Sequence, residues 1–301
     1  MRRRSLLIGQ TVLITGAARG IGAEAARRVV GLGANAMLVG LESERLAALA
    51  DGLGHDRVAW AEADVVDEDA LASSVAMARA RFGRIDIAIA NAGLHFAGGV
   101  ATAATKQLTR ELEVNLHGTL LTDRAVLPAL VESGGYLLNI ASLAASAHLP
   151  MMGAYSASKA GVEAITDCLR AEIAHTGVDV GCAYLGFYDT DLVRASFTHP
   201  SARSIASAVP SFVSRPRPMT EAVTAIIDGL MWRRRRVWAP RYVGVALALR
   251  GVLQPAADAF NRRSGAVAAG ARMLGDEPQA TSERELLLGV AARIKQRSLP
   301  G

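Results

Sequence analysis

The amino-acid sequence predicts a doubly wound α/β fold, with a mostly parallel sheet and helices on both faces. Apolar patterns of strand length and of helix length alternate along most of the chain, as in successive βαβ units. One strand pattern, Ile85–Ala90, is a nearly continuous apolar run, which suits a strand covered on both faces. A glycine-rich turn joins the first strand pattern to the first helix pattern.

Thr11–Thr15 reads as the first strand and Gly20–Leu32 as the first helix. Ala36–Val39 is the second strand, and the helix over Ser43–Ala50 has Ser43 as its expected cap. Val58–Ala63 is the third strand. Asp67–Phe82 is a helix whose acidic first turn suits the helix dipole. After Ile85–Ala90 come a long helical stretch over Leu108–Leu130, a strand over Tyr136–Ile140, a helix over Tyr155–His175 and a strand over Val178–Tyr184.

Gly186–Pro218 lacks sustained periodicity and holds Pro200, Pro210, Pro216 and Pro218. A stretch that long without regular structure is usually functional or disordered. It follows the carboxyl end of a strand, where open α/β sheets bind ligands, and so reads as a substrate-covering segment. Thr220–Met231 returns to helix with Thr220 as cap, and Val237–Ala239 is a short strand. Tyr242–Leu249 is apolar between Arg241 and Arg250. Arg262–Thr281 is rich in Gly, Ala and polar residues and reads as a mobile tail, with one more short helix over Glu283–Ile294. The expectation is one catalytic domain over 1–260, a substrate loop over 186–218, and a C-terminal extension over 261–301.

The chain of 301 residues is 51% hydrophobic and 20% charged, which supplies a large core and excludes general disorder. Cys168, Cys182 and the six histidines show no metal-ligand spacing, so no metal is expected and the default location is cytoplasmic. The start, Met1 through Arg4 followed by an apolar run, has the flavour of a signal peptide, but the run enters the glycine-rich turn without a cleavage site. No segment reaches the roughly 20 apolar residues of a bilayer span. The formal charge of +5 draws on Arg2–Arg4 and Arg233–Arg236. Without a basic stripe interleaved with aromatics, these read as surface arginines and not as a nucleic-acid site.

The turn is Thr15-Gly16-Ala17-Ala18-Arg19-Gly20-Ile21-Gly22. Its glycines allow a tight bend and close approach of a pyrophosphate, and the helix behind it offers unpaired N–H groups to that anion. Between a strand and a helix, this makes a Rossmann-like dinucleotide site. Asp64, at the end of the third strand, is placed to accept from an adenine amine. Asn91-Ala92-Gly93 ends the fourth strand with small residues that let a cofactor pass, and Asn91 is placed to tie strand ends together.

Tyr155 and Lys159 are four residues apart on a predicted helix and share a face. A nearby ammonium favours the phenolate, which makes an acid/base group suited to alcohol–carbonyl interconversion. Ser142, just past the fifth strand, is placed to bind the reacting oxygen. Asn115, an unfavoured residue inside a helix, is read as support for a water or for the lysine.

Together these motifs resemble the classical short-chain dehydrogenase/reductase family over roughly Gly9–Pro240: the T-G-x-x-x-G-I-G turn, the N-A-G triplet and Y-x-x-x-K, in that order and spacing. The resemblance implies that Tyr155 is the general acid/base and that Lys159 lowers its pKa and holds the nicotinamide ribose. Ser142 then orients the substrate oxygen, and Asn115 completes the tetrad through a bound water. It further implies cofactor contacts at Gly16, Ala18, Arg19, Gly20, Ile21, Gly22, Gly40, Leu41, Asp64, Val65, Asn91, Ala92, Gly93 and Thr190. Family members move hydride between the nicotinamide and an alcohol or carbonyl carbon. They usually form dimers or tetramers through the two long helices.

Two departures matter. Leu185-Gly186 stands where the family commonly has Pro-Gly. At the end of the second strand, Gly40 and Leu41 replace both the Asp of NAD-preferring relatives and the Arg of NADP-preferring ones. Arg19 suits a 2′-phosphate and Glu42 a ribose diol, so NAD and NADP both remain open. The expected function is NAD(P)-dependent interconversion of a secondary alcohol and a ketone on a hydrophobic substrate. The alternatives are a related epimerase or dehydratase and a non-catalytic dinucleotide sensor or scaffold. Met231–Leu253 combines Trp232, Trp238, Tyr242 and arginines with an apolar run. It is expected to lie against an apolar surface: the edge of the active site or a second subunit, or else a membrane surface.

Overall fold

The computed structural model describes residues 7–196, 200–207 and 209–276. Seven parallel strands form one sheet in the order β3-β2-β1-β4-β5-β6-β7. They are β1 (Thr11–Thr15), β2 (Asn35–Gly40), β3 (Val58–Glu62), β4 (Ile87–Ala90), β5 (Tyr136–Ser142), β6 (Asp179–Leu185) and β7 (Arg236–Ala239). The central strands are buried along their whole length, which is why their sequences are apolar without alternation.

The first helices are α1 (Gly20–Gly31), α2 (Ser43–Leu53) and α3 (Glu68–Phe82). The fourth crossover is one long rod with a defect. It comprises α4 (Thr105–Leu112), a π-helical turn over Glu113–His117, and α5 (Gly118–Ser133). Then follow α6 (Gly153–Glu172), the short helices α7 (Asp191–Ser196), α8 (Pro200–Ser207) and α9 (Ser211–Ser214), and α10 (Met219–Trp232). The chain continues through α11 (Arg241–Ala248), α12 (Arg250–Arg263) and α13 (Gly265–Asp276).

One face of the sheet packs on α1, α2 and α10 through residues such as Val29, Leu46 and Ile226. The opposite face packs on α3 and α5 through Leu71, Leu121 and Leu130, and on α6 through Val162. Helices on both faces of a parallel sheet are the doubly wound arrangement that the alternating patterns predict.

Several local expectations shift. Ser43 and Thr220 lie inside the first turns of their helices, and Glu42 and Pro218 occupy the cap positions without a side-chain bond. Asp67 is a true cap, its carboxylate accepting from Ala70 N at 3.0 Å. The segment over 186–218 is broken into α7–α9, turns too short to show a period in sequence. Of the tail over 262–281, the part up to Asp276 is helical, and α13 packs on α8. Ser204 Oγ donates to Ala266 O there at 2.9 Å. Arg2–Arg4 and Glu283–Ile294 lie outside the described residues.

Candidate active site

Strand order reverses between β1 and β4, and the loops leaving their carboxyl ends flank one crevice. Gly16 and Gly20 have φ of 63° and 58°, a left-handed backbone that favours glycine. At Gly22 a Cβ would lie 2.3 Å from Gly16 O, so the turn closes only over a hydrogen. Asn91 Nδ2 donates to Thr15 O at 2.9 Å and Gly16 O at 3.3 Å. Thr15 Oγ1 accepts from Asn91 N and Ala92 N. Two strand ends are thereby locked together beside the turn. Helix α1 starts at Gly20 with Arg19 at the cap, no side-chain cap bond and no acidic residue in its first turn. Its leading N–H groups are thus left for an anion, and the residues of the turn fit a pyrophosphate.

At the far end of the crevice, Gly40 closes β2 with room for a side chain: an added Cβ would sit 3.8 Å from Ala17 N and Ala18 Cβ. Leu41 is exposed, and Arg19 Nε bonds Glu42 Oε2 at 3.0 Å. The two groups that sequence reading sets against each other therefore neutralise one another. The Asp64 carboxylate accepts from Arg110 Nη2 at 2.5 Å and from Val66 N at 3.2 Å. Val65, beside it, is buried in the core.

The opposite end of the crevice carries the reactive groups. Lys159, buried on α6, donates from Nζ to Ile140 O at 2.8 Å and lies 5.8 Å from the Tyr155 ring centroid. Burial pulls its pKa down to about 8. The sequence reading has this ammonium lowering the phenol pKa. In the protein without cofactor, burial pushes Tyr155 up to about 12, opposed by the Ser142 hydroxyl and reinforced by the Glu111 carboxylate. Ser142 Oγ donates to Leu185 O at 3.2 Å and accepts from Ala144 N at 3.2 Å.

Asn115 sits in the π-turn and is fully buried. Its Oδ1 accepts from Leu94 N at 2.8 Å. Its Nδ2 donates to Leu94 O at 2.8 Å and to Ser158 Oγ at 3.2 Å. The π-turn, a common feature of functional sites, thereby pins the loop after β4 to α6. Gly93 on that loop faces the lysine: a Cβ there would be 3.5 Å from Lys159 Nζ. Thr190, after β6, crosses to the glycine turn, its Cγ2 being 4.0 Å from where a Gly20 Cβ would be.

Tyr155 and Ser142 open onto a largely apolar cavity of about 550 Å³. Its walls come from the loops after β4 and β5, from α7–α9, and from α11 and α12 through Ala246, Leu253 and Phe260. The helices after Pro240 therefore cover the active-site edge. No single helix among the described residues is long and apolar enough to cross a membrane. Helices α11 and α12 meet that standard only together and bend by 92° between them.

Two site residues escape sequence reading. His95 lines the cavity with its ring 5.0 Å from that of Tyr155, and its Nδ1 lies 2.8 Å from Glu111 Oε1. A faint signal exists, because Glu111 is one helical turn before Asn115 and His95 follows the N-A-G triplet by two residues.

A family model described as short chain dehydrogenase matches residues 10–201. An uncharacterized oxidoreductase of Staphylococcus saprophyticus is 34% identical over 187 residues, covering 61% of this chain and 80% of its own. The bovine dehydrogenase/reductase SDR family member 7B is 31% identical over 201 residues, 64% of this chain and 62% of its own. A short-chain dehydrogenase structure from Streptomyces avermitilis superposes with a TM-score of 0.70 at 25% identity, over 84% of this chain and 95% of that one. One from Burkholderia phymatum, in complex with NAD, is similar in fold at 21% identity. Its TM-score is 0.73, over 86% of this chain and 97% of that one. The chain belongs to the short chain dehydrogenase family of oxidoreductases.

Proposed function

We propose that the protein is an NAD(P)-dependent oxidoreductase that interconverts a secondary alcohol and a ketone on a hydrophobic substrate. The observation that carries this reading is the Tyr155 phenol, beside Ser142, at the mouth of a large apolar cavity next to a dinucleotide crevice. The bound nicotinamide would supply or take up the hydride. Tyr155, which holds its proton at neutral pH, gives it to a carbonyl oxygen in reduction and recovers it in oxidation. Ser142, turning its one proton from Leu185 O, donates to the same oxygen and fixes its position. Lys159, with one N–H on Ile140 O, has others left for the ribose hydroxyls. Asn115 holds the β4 loop and α6 in register for both.

The test is a screen of apolar ketones and secondary alcohols with both cofactors, following absorbance of the reduced nicotinamide. Saturable turnover with one cofactor is expected. Cofactor binding without turnover of any compound would assign a sensor or scaffold. Product formation without net change in the cofactor would assign an epimerase or dehydratase.

The molecular setting belongs to the same proposal. Exposed Leu112, Leu120 and Val131 on α4 and α5 support a homodimer or homotetramer through the long helices, which light scattering measures. Exposed Trp238, Val245, Leu249 and Val252, beside Arg241 and Arg250, support a cytoplasmic protein that touches a membrane surface peripherally. Failure to co-sediment with anionic vesicles at low salt would remove the membrane contact.

A further inference from the structure

The loop after β4 carries a polar device that acid/base chemistry at Tyr155 does not require. His95 and Glu111 are both buried, with side-chain exposures of 6% and 1%, and are joined at 2.8 Å. Glu111 Oε1 also accepts from Phe96 N at 3.3 Å. An acceptor role for Oε1 toward both groups matches the imidazole tautomer with its proton on Nδ1. That tautomer leaves Nε2 as an acceptor. Among the described residues nothing bonds Nε2, and it is not sealed from the cavity that the ring lines. The ring is 5.0 Å from that of Tyr155.

A buried carboxylate is costly, and tying one loop to one helix does not need an imidazole facing a guest. The described cavity walls carry no lysine, arginine, aspartate or glutamate. Polar lining groups such as Ser146, His148 and Gln254 are also present, and His95 is the one whose ring is in aromatic contact with Tyr155. With Glu111 behind it, the pair has no net positive charge in either protonation state of the imidazole, so it does not attract a carboxylate.

We propose that His95, oriented by Glu111, binds a second, neutral hydroxyl of the substrate. The substrate class is accordingly an apolar ketone or alcohol that carries a hydroxyl on the carbon next to the reacting one, or on the following carbon. This inference rests on the proposed carbonyl–alcohol chemistry, which fixes where the reacting oxygen lies. A site built to hydrogen-bond a hydroxyl discriminates strongly against an analogue lacking it, because its own polar group is then left unpaired.

Benzoin and deoxybenzoin share one skeleton and differ by the hydroxyl beside the ketone. Calorimetry would measure binding of each to the full-length protein saturated with the reduced cofactor, alongside turnover. The wild-type protein should favour benzoin by about tenfold or more. His95→Ala should abolish that preference. His95→Gln, which keeps an acceptor, should restore part of it, and Glu111→Gln should weaken it by loosening the ring. Equal affinity of the wild type for the two compounds overturns the proposal, whether or not either is turned over. So does His95→Ala weakening both compounds alike. Preference in binding without turnover of any compound would instead overturn the oxidoreductase reading and leave the hydroxyl site standing.

Discussion

The turn over Thr15–Gly22 and the cap formed by α7–α9 and α11–α13 stand at the same edge of the sheet, yet different forces hold them. The turn is fixed by main-chain geometry: left-handed glycines, a Cβ-free contact at Gly22, and short bonds from Asn91 and Thr15. The cap is fixed by side chains packed on side chains around an apolar cavity, and by side-chain bonds such as Ser204 to Ala266 and Arg250 to Glu163. A pyrophosphate is one shape and is met by one backbone path. An apolar guest needs volume, which many packings supply. The comparison is broken or sharpened by changes whose effects divide between cofactor and substrate.

The largest effect is expected at the seam where the two regions meet. Tyr155→Phe should keep cofactor affinity and lower kcat by about 10²–10⁴-fold, the usual contribution of a positioned acid/base group. Fluorescence titration with the cofactor and steady-state rates would separate the two quantities. A kcat near that of the wild type would remove Tyr155 from the chemistry.

Next comes Gly22→Ala in the turn. Its Cβ would lie 2.3 Å from Gly16 O and 2.7 Å from Asn91 Nδ2, and a main-chain oxygen cannot rotate away as a side chain can. The turn must open, so the cofactor Kd should rise by about tenfold or more, equivalent to about 1.4 kcal/mol of lost binding. Unaltered cofactor affinity would show that the turn does not depend on this close approach.

What was legible in the sequence follows the same division. The strands and their order of use were readable because parallel strands buried on both faces leave long apolar runs, as in Ile87–Ala90 and Tyr136–Ser142. The glycine turn, Asn91, Asn115, Ser142, Tyr155 and Lys159 were readable because each depends on local spacing, and the fold brings them to one crevice. The cap was not. Helices of four to eight residues such as α8 and α9 are too short to show a period, and α13 gains its face only by meeting α8. Nor was the burial of Tyr155: the Tyr-x-x-x-Lys spacing reports the neighbouring lysine but not the burial that raises the phenol pKa. The pairing of His95 with Glu111 was hidden because it joins a loop to a helix through space.

Gly40→Asp probes the nucleoside end of the crevice with a smaller expected effect. The added Cβ meets only ordinary contacts at 3.8 Å, so the fold should accept it. A carboxylate there would repel a 2′-phosphate and accept from a ribose diol. The ratio of kcat/KM for NAD over NADP should then rise by about tenfold. An unchanged ratio would place the adenosine ribose elsewhere and direct attention to Arg19 and Glu42.

The smallest effect is expected from the same glycine-to-alanine change made in the cap. At Gly270 on α13 a Cβ would meet Ile205 Cγ1 at 2.7 Å and Ser201 O at 2.9 Å, a clash less severe than the 2.3 Å contact at Gly22. The partners differ in how they yield. Ile205 Cγ1 belongs to a side chain that can rotate, and α8, which carries both contacts, is a short helix free of the sheet. Replacing glycine inside a helix also contributes about 0.5–1 kcal/mol of helix stability, which offsets part of the crowding. Gly270→Ala should therefore change Tm little. Ile205 lines the cavity, so its displacement should raise KM for a bulky apolar ketone a few-fold. Cofactor Kd and the kcat of a small ketone should stay as they are. A loss of cofactor affinity like that of Gly22→Ala would mean that the cap and the turn are mechanically one unit. If KM does not respond to the bulk of the ketone, α8 would not be a wall of the substrate site.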